Sequence, residues 1–272
     1  MSKFTIGFLA FVLLTIATGF LFKDRLLKFY HATGNVLTSV PLNVGGKENN
    51  ASFTAAEVII ETNLQRKQNG NLPALKESAK LTAAAKAKAD DMFASQYFEH
   101  VSPSGMDPGE LVKARGYAYV LAGENLILGN FASEKEVVQL WMDSPGHRAN
   151  ILNNRFVDIG VAMVKGTYKG QVAWIGVQEF GLPLANCPPQ ASDVLKNQIE
   201  DNKTKLDTLA VQIEAKRQEI ENTNSRSEKY NQLVDEYNAL VGQYNVLNDQ
   251  TKEIINQYNA QINAFNACVA GK

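Results

Sequence analysis

Cysteine, histidine and tryptophan are scarce in this chain of 272 residues: two, three and two of each. Each can therefore be weighed on its own. A basic excess is also missing, with 27 Lys and Arg against 28 Asp and Glu, which leaves no electrostatic footprint for nucleic acid. There is no G-x-S-x-G nucleophile elbow and no evident oxyanion loop. Beyond Ala191, glycine and proline nearly vanish, so the last third is not built like the middle. The length allows one or two domains with a sizeable core.

The amino-terminal run Phe4 to Phe22, FTIGFLAFVLLTIATGFLF, carries no charge. As a helix it would span about 28 Å, close to a bilayer core of about 30 Å. It reads as an uncleaved membrane anchor, residues 1–30. The alternative is a secretory signal starting at Lys3, with secretion after cleavage, although no A-x-A site precedes Lys23. Lys23, Arg25 and Lys28 outnumber Lys3 and by themselves favour a cytoplasmic carboxyl side, against the cysteine argument below. Residues 31–52, rich in Gly, Asn, Ser and Thr, read as a linker in which His31 is solvated and inert.

Residues 53–186 have the pattern of a folded α+β domain. Ala56, Ile60, Asn63 and Leu64 share a helical face, and LPALKESAKLTAAAKAKADDMF predicts a second helix. Ser133 and Glu136 form a capping box before a third helix with Val137, Leu140 and Trp141. FVDIGVAMVKG and QVAWIGVQEFG, joined through TYKG, predict a β-hairpin, and YVLAGENLILG a further strand. Trp141 and Trp174 fall in apolar contexts and are expected in the core.

Three phrases carry the chemistry in order: YFEHVSPSGMDP with His100, GENLILG with Glu124, and WMDSPGHRANIL with His147, before WIGVQEFG. Together they closely resemble the CAP superfamily (the SCP-like domain of cysteine-rich secretory, antigen-five and pathogenesis-related proteins), in its bacterial branch, over residues 54 to 184. The resemblance implies an α-β-α sandwich with an open cleft lined by two histidines and two glutamates, where a divalent metal such as zinc can bind. Carried over by motif, the histidines are His100 and His147 and the first glutamate is Glu124. The family's second glutamate lies three residues beyond the tryptophan; here that place holds Ser144, with Asp143 turned about 100° away.

Two imidazoles and a carboxylate suffice for three zinc ligands, or for acid–base work near neutrality. The structural alternative has the same residues holding a loop, a sheet edge and a helix junction. Asn125 lines the same cleft or fixes its turn by side-chain hydrogen bonds. A hydrolase reading would take Ser102 or Ser104 beside His100 as nucleophile.

Residues 187–272 show heptads: Ile199, Leu206, Ile213 and Ile220 with Leu195 and Leu209, then Tyr230, Tyr237, Tyr244, Tyr258 and Phe265 with Leu233, Leu240, Leu247 and Ile254. Two helices joined near residues 222–227 are expected, folded as an antiparallel coiled-coil hairpin or extended in a dimer, with the tyrosines as packing. Cys187 and Cys268 flank the pair almost symmetrically, which predicts a disulfide clamping the hairpin; two unpaired thiols are the alternative. A persistent disulfide requires an oxidising compartment and so an extracytoplasmic globular part. The expected function is a membrane-tethered extracytoplasmic binding or scaffold module. Its cleft would take metal or an envelope, lipid or peptide ligand, and its coiled coil would engage a protein or envelope partner. The alternative is an extracytoplasmic hydrolase using the His/Glu cleft, metal-assisted or not.

Overall fold

The computed structural model describes residues 34–48 and 50–271. The expected membrane segment and His31 lie outside them, and among the described residues no helix is long and apolar enough to cross a membrane. One compact unit spans His31–Cys187, and a second takes in the chain from Pro188.

In chain order the first unit contains strands β1 (Asn35–Thr38) and β2 (Leu42–Gly45), helix α1 (Ala55–Gln68), strand β3 (Lys76–Glu77) and helices α2 (Ala79–Ser95) and α3 (Pro108–Ala114). Strand β4 (Tyr119–Gly129), helices α4 (Glu134–Asp143) and α5 (Pro145–Ile151), and strands β5 (Asp158–Tyr168) and β6 (Gln171–Pro183) follow. The sheet runs β1-β4-β6-β5-β3, with β2 beside β1 on the same edge of β4. β4, β6 and β5 are antiparallel, whereas β1 and β2 run parallel to β4.

Period-two alternation sorts the strand side chains into two apolar layers. Leu121, Ile127, Ile159, Val161, Trp174 and Phe180 pack with Val58, Val137, Val138 and Trp141 of α1 and α4. Leu126, Leu128, Ala162, Ile175 and Val177 pack with Ala85, Ala89 and Met92 of α2. The expected three-layer sandwich and both buried tryptophans are present. In the β5–β6 hairpin Lys169 and Gly170 both take positive φ, 48° and 80°, as a two-residue type I′ turn requires. The Lys169 N–H donates to Gln96 Oε1 at 2.7 Å.

Four expectations change. Residues 31–52 are not only a linker, because the unpaired edge of β4 recruits Asn35–Thr38 and Leu42–Gly45 as strands that their own composition does not announce. The buried face of α1 is Val58, Ile59, Thr62 and Arg66, while Ile60 and Leu64 are exposed. Two polar residues are buried there because they are hydrogen-bonded: Arg66 donates to the carbonyls of Pro73, Ile151 and Asn153. The second helix begins only at Ala79, since Asn63 holds both backbone groups of Leu75 and Lys76–Glu77 pairs with β5. Ser133 caps α4, but Glu136 reaches back to the Ala132 N–H rather than to the cap residue's own.

The second unit carries helices α6 (Asp193–Glu221) and α7 (Glu228–Ala270), capped by Ser192 and Ser227. They pair antiparallel as a hairpin. Lys216 meets Glu236 at 3.0 Å near the turn, and the Ser192 N–H donates to Gln261 Oε1 at 2.9 Å at the other end. Tyr237 and Tyr244 pack on Ile213, so these tyrosines are core. Thr251 takes the next heptad place, its hydroxyl donating to the Leu247 carbonyl. Beyond it the buried seam passes from the expected Ile254 to Ile255 and Ile262, the drift of a 3.6-residue helix against a seven-residue repeat. Cys187 and Cys268 are both disulfide-bonded and are the chain's only cysteines, so they are joined to each other.

Two outcomes test this packing. A Cβ at Gly160 would fall 2.1 Å from the backbone of Leu81 and Thr82 in α2. Gly160→Ala is therefore expected to cost about 3 kcal/mol or more in urea unfolding, since backbone cannot give way as a side-chain tip does; a cost below about 1 kcal/mol contradicts the close approach. For the hairpin, Cys268→Ser should lower stability by about 4 kcal/mol on chain-entropy grounds. Helical ellipticity followed against urea reads it, and an unmoved midpoint argues against the clamp.

Candidate functional site

Glu124 lies mid-way along β4, and its partner in the ladder on β6 is Glu179. Alternation turns both carboxyls toward α2, and both are fully buried. Two carboxylates cannot both stay ionised in such a place. Glu179 is held well above the usual carboxylate range, first by burial and then by the charge of Glu124 and the hydrogen bond it shares with it; Lys88 opposes the shift. Protonated, Glu179 donates to Glu124. This accounts for Glu124 Oε2 and one of the two Glu179 oxygens having no other partner.

Lys88 of α2 sits above this pair, its own pKa lowered by burial and partly restored by Glu124 and Glu179. Its ammonium donates to the His100 carbonyl at 2.6 Å and to the Tyr97 hydroxyl at 3.2 Å. The Tyr97 hydroxyl in turn donates to Asp91 at 2.5 Å. Lys88 thereby fixes the loop that carries His100. His100 Nδ1 meets Glu124 Oε1 at 2.5 Å, and Nε2 donates to the carbonyl of Ser39, between β1 and β2. Because a carbonyl can only accept, Nε2 carries hydrogen. Lys88, Glu179, Glu124 and His100 thus form one buried row of titratable groups. His100, with its side chain 13% exposed, borders a cavity of about 230 Å³ also lined by Lys88, Asp91, Tyr97, Ser102 and Arg115.

His147 stands in the first turn of α5, where Ser144 ends α4 and begins the next helix. Its Nδ1 bonds Ser144 Oγ at 2.7 Å, and the ring is wholly buried. Burial first, then the nearby His100, pushes its pKa down to about 4, opposed by the Leu126 carbonyl. Asn125 points to the opposite face from Glu124. It donates to the His147 carbonyl and to Gln178 and accepts from Asn150, while Gln178 donates to Thr62. It positions α5 from behind rather than lining the cavity.

His100, Glu124 and His147 are thus drawn together around β4, but not as a ligand set. Among the described residues no three His, Cys, Asp or Glu side chains are placed to share a metal ion, and both ring nitrogens of His100 are engaged. The residues as arranged do not fit the expected zinc. Ser102 Oγ is bonded to Ser104 Oγ and the Met106 N–H, so neither serine is set against His100 as a nucleophile. Lys88 and Glu179 were missed in the sequence. The signals were there: Lys88 interrupts the buried face Leu81, Ala84, Ala85, Ala89 and Met92, and Glu179 with Gln178 interrupts a strand that is apolar on both sides of them.

Residues 60–180 match the model of the cysteine-rich secretory protein family, CAP. The chain is similar to the uncharacterised protein YkwD of Bacillus subtilis, 40% identical over 131 residues, 48% of each chain. It therefore spans about half the length of that relative. Among solved structures it is similar to an extracellular SCP-domain protein of Bacillus anthracis (29% identity, 47% of this chain and 39% of that one, TM-score 0.41). An outer surface protein of Borrelia burgdorferi is also similar (23% identity, 47% and 91%, TM-score 0.40).

The buried His147 imposes a pH dependence. Between its ordinary value of 6.5 and about 4, the unfolded chain takes a proton that the folded chain refuses, so stability falls with acidification. The effect is of order 3 kcal/mol. The raised pKa of Glu179 acts the other way, its contribution being lost as pH rises above the ordinary carboxylate value. The measurement is therefore differential: urea midpoints at pH 7 and 4.5 for the protein and for His147→Gln. The variant should lose less on acidification by about 2–3 kcal/mol. Equal losses would exclude a buried neutral His147.

Proposed function

Residues 60–180 are a CAP domain of the cysteine-rich secretory protein family, bacterial in kind, and we propose that this chain uses it as an extracytoplasmic binding module. The observation that carries the proposal is the buried row Lys88–Glu179–Glu124–His100 ending at one partly exposed imidazole beside a cavity. Such a row holds His100 rigidly, with its donor directed at a backbone carbonyl, which is a recognition geometry. Binding is favoured over hydrolysis because Ser102 and Ser104 are committed to one another and to Met106.

The Cys187–Cys268 disulfide supports an oxidising location. The uncharged run Phe4 to Phe22 supports attachment to a membrane. The hairpin of α6 and α7 is the part suited to spacing the domain from its support or engaging a protein partner.

The ligand belongs to the cell envelope on this reading. Purified full-length chain should be retained on isolated envelope material, and His100→Ala should weaken retention at least tenfold. The variant also leaves Glu124 without its partner, so its unfolding midpoint should fall, and retention is compared under conditions where both proteins are folded. Equal retention of the two proteins would remove His100 from the binding site.

A further inference from the structure

The edge of β4 is filled twice from one short segment. Asn35–Thr38 pairs with Leu121–Glu124, and Leu42, Asn43 and Gly45 pair with Ile127, Leu128 and Gly129. Between them three residues, Ser39, Val40 and Pro41, face only Asn125 and Leu126, so the segment lifts off the edge there. That interruption falls on the site. The Ser39 carbonyl takes the His100 Nε2 hydrogen, and the Leu37 carbonyl accepts from Asn150 Nδ2 at 3.3 Å. The place where Ser39 passes α5 is cleared by Gly146, where any Cβ would come within 2.6 Å of Ser39 Cβ.

We propose that this edge is a docking groove for an extended polypeptide running parallel to β4, and that residues 35–45 are a built-in occupant which gives way to a peptide from another protein. The proposal deepens the binding reading above and rests on it for the role of His100.

Three observations separate this segment from an ordinary edge strand. First, the site grips it through backbone carbonyls, which any peptide has, as in strand addition generally. Second, it is held weakly: each paired piece is four residues, Pro41 has no N–H to offer, and Leu37, Val40 and Val44 are exposed at 36%, 86% and 37%. Third, only two side chains anchor it. Val36 packs at the Tyr119 cluster and Leu42 at the Trp141 cluster, on either side of the site. The groove therefore selects an extended segment with apolar residues six positions apart and a small residue midway, where Ser39 meets Gly146. The segment lies before the matched residues 60–180.

The test uses the full chain and a synthetic peptide of residues 35–45, NVLTSVPLNVG, with the reversed sequence as control. In one variant residues 35–45 are replaced by a Gly/Ser sequence of equal length; in a second, Val36→Asp and Leu42→Asp loosen the segment with the chain otherwise intact. Both should bind the peptide at least tenfold more tightly than the unmodified protein, whose own segment competes at an effective concentration of order millimolar. Neither should bind the reversed peptide. Binding no tighter than the unmodified protein, by variants that still unfold cooperatively, overturns the proposal. Should neither variant fold, hydrogen exchange in the unmodified protein decides. Amides of residues 35–45 should exchange at least tenfold faster than those of the β4–β6 ladder, and equal protection rejects a displaceable occupant. If peptide binds the variants while His100→Ala leaves envelope retention unchanged, the groove stands and the envelope reading falls.

Discussion

Two glutamates face each other across adjacent strands in the middle of the sheet, under a helix that is otherwise apolar at its contact. In that environment a pair of ionised carboxylates is untenable, and the surrounding structure is arranged to make the pair acceptable. Glu179 keeps its proton, Lys88 brings a positive charge across from α2, and His100 closes the row. The tight approach of α2 to β5, permitted only by Gly160, sets the height of Lys88 above the sheet. Lys88 then holds the loop from Tyr97 to His100 by its hydrogen bonds, so the position of the imidazole follows from the carboxylate pair rather than from the loop's own preferences.

The opposite face of the same strands solves a different problem with neutral groups. Thr62, Gln178, Asn125 and Asn150 form one hydrogen-bonded chain from α1 to α5, and Arg66 holds the carbonyl end of α5. Every link is satisfied, which is why so many polar atoms can lie in a core without loss of stability. Their effect is to fix the short helix that brings His147 to the edge of β4. One strand thus carries charge on one side and amides on the other, and the two histidines arrive at its edge from the two sides.

At that edge the chain meets itself. An exposed edge is a template for another strand, and this chain fills it with its own residues 35–45. The filling is incomplete where His100 and Gly146 stand, so the site and the break in pairing coincide. The helical hairpin answers to a separate constraint, a heptad seam and a disulfide.

Local signals were enough for the elements with strong periodicity. The heptads of α6 and α7, the β5–β6 hairpin, the Ser133 cap and the symmetric cysteines all express interactions within a few residues or a simple repeat, which a linear reading captures. The motif resemblance likewise singled out His100 and Glu124, which meet, and His147, whose ring is buried. Other features needed the third dimension. Thr62 and Arg66 break the hydrophobic pattern of α1 because they have partners 85 and 116 residues away. Glu179 acquires meaning only opposite Glu124, and Lys88 only above them both. Residues 35–45 become strands because β4 offers an edge. Asn125 lies beside Glu124 in sequence, yet the pleat of the strand sends it into a different network. Pairing across a sheet and burial of charge are decided by which distant residues meet, and only the tertiary structure brings them together.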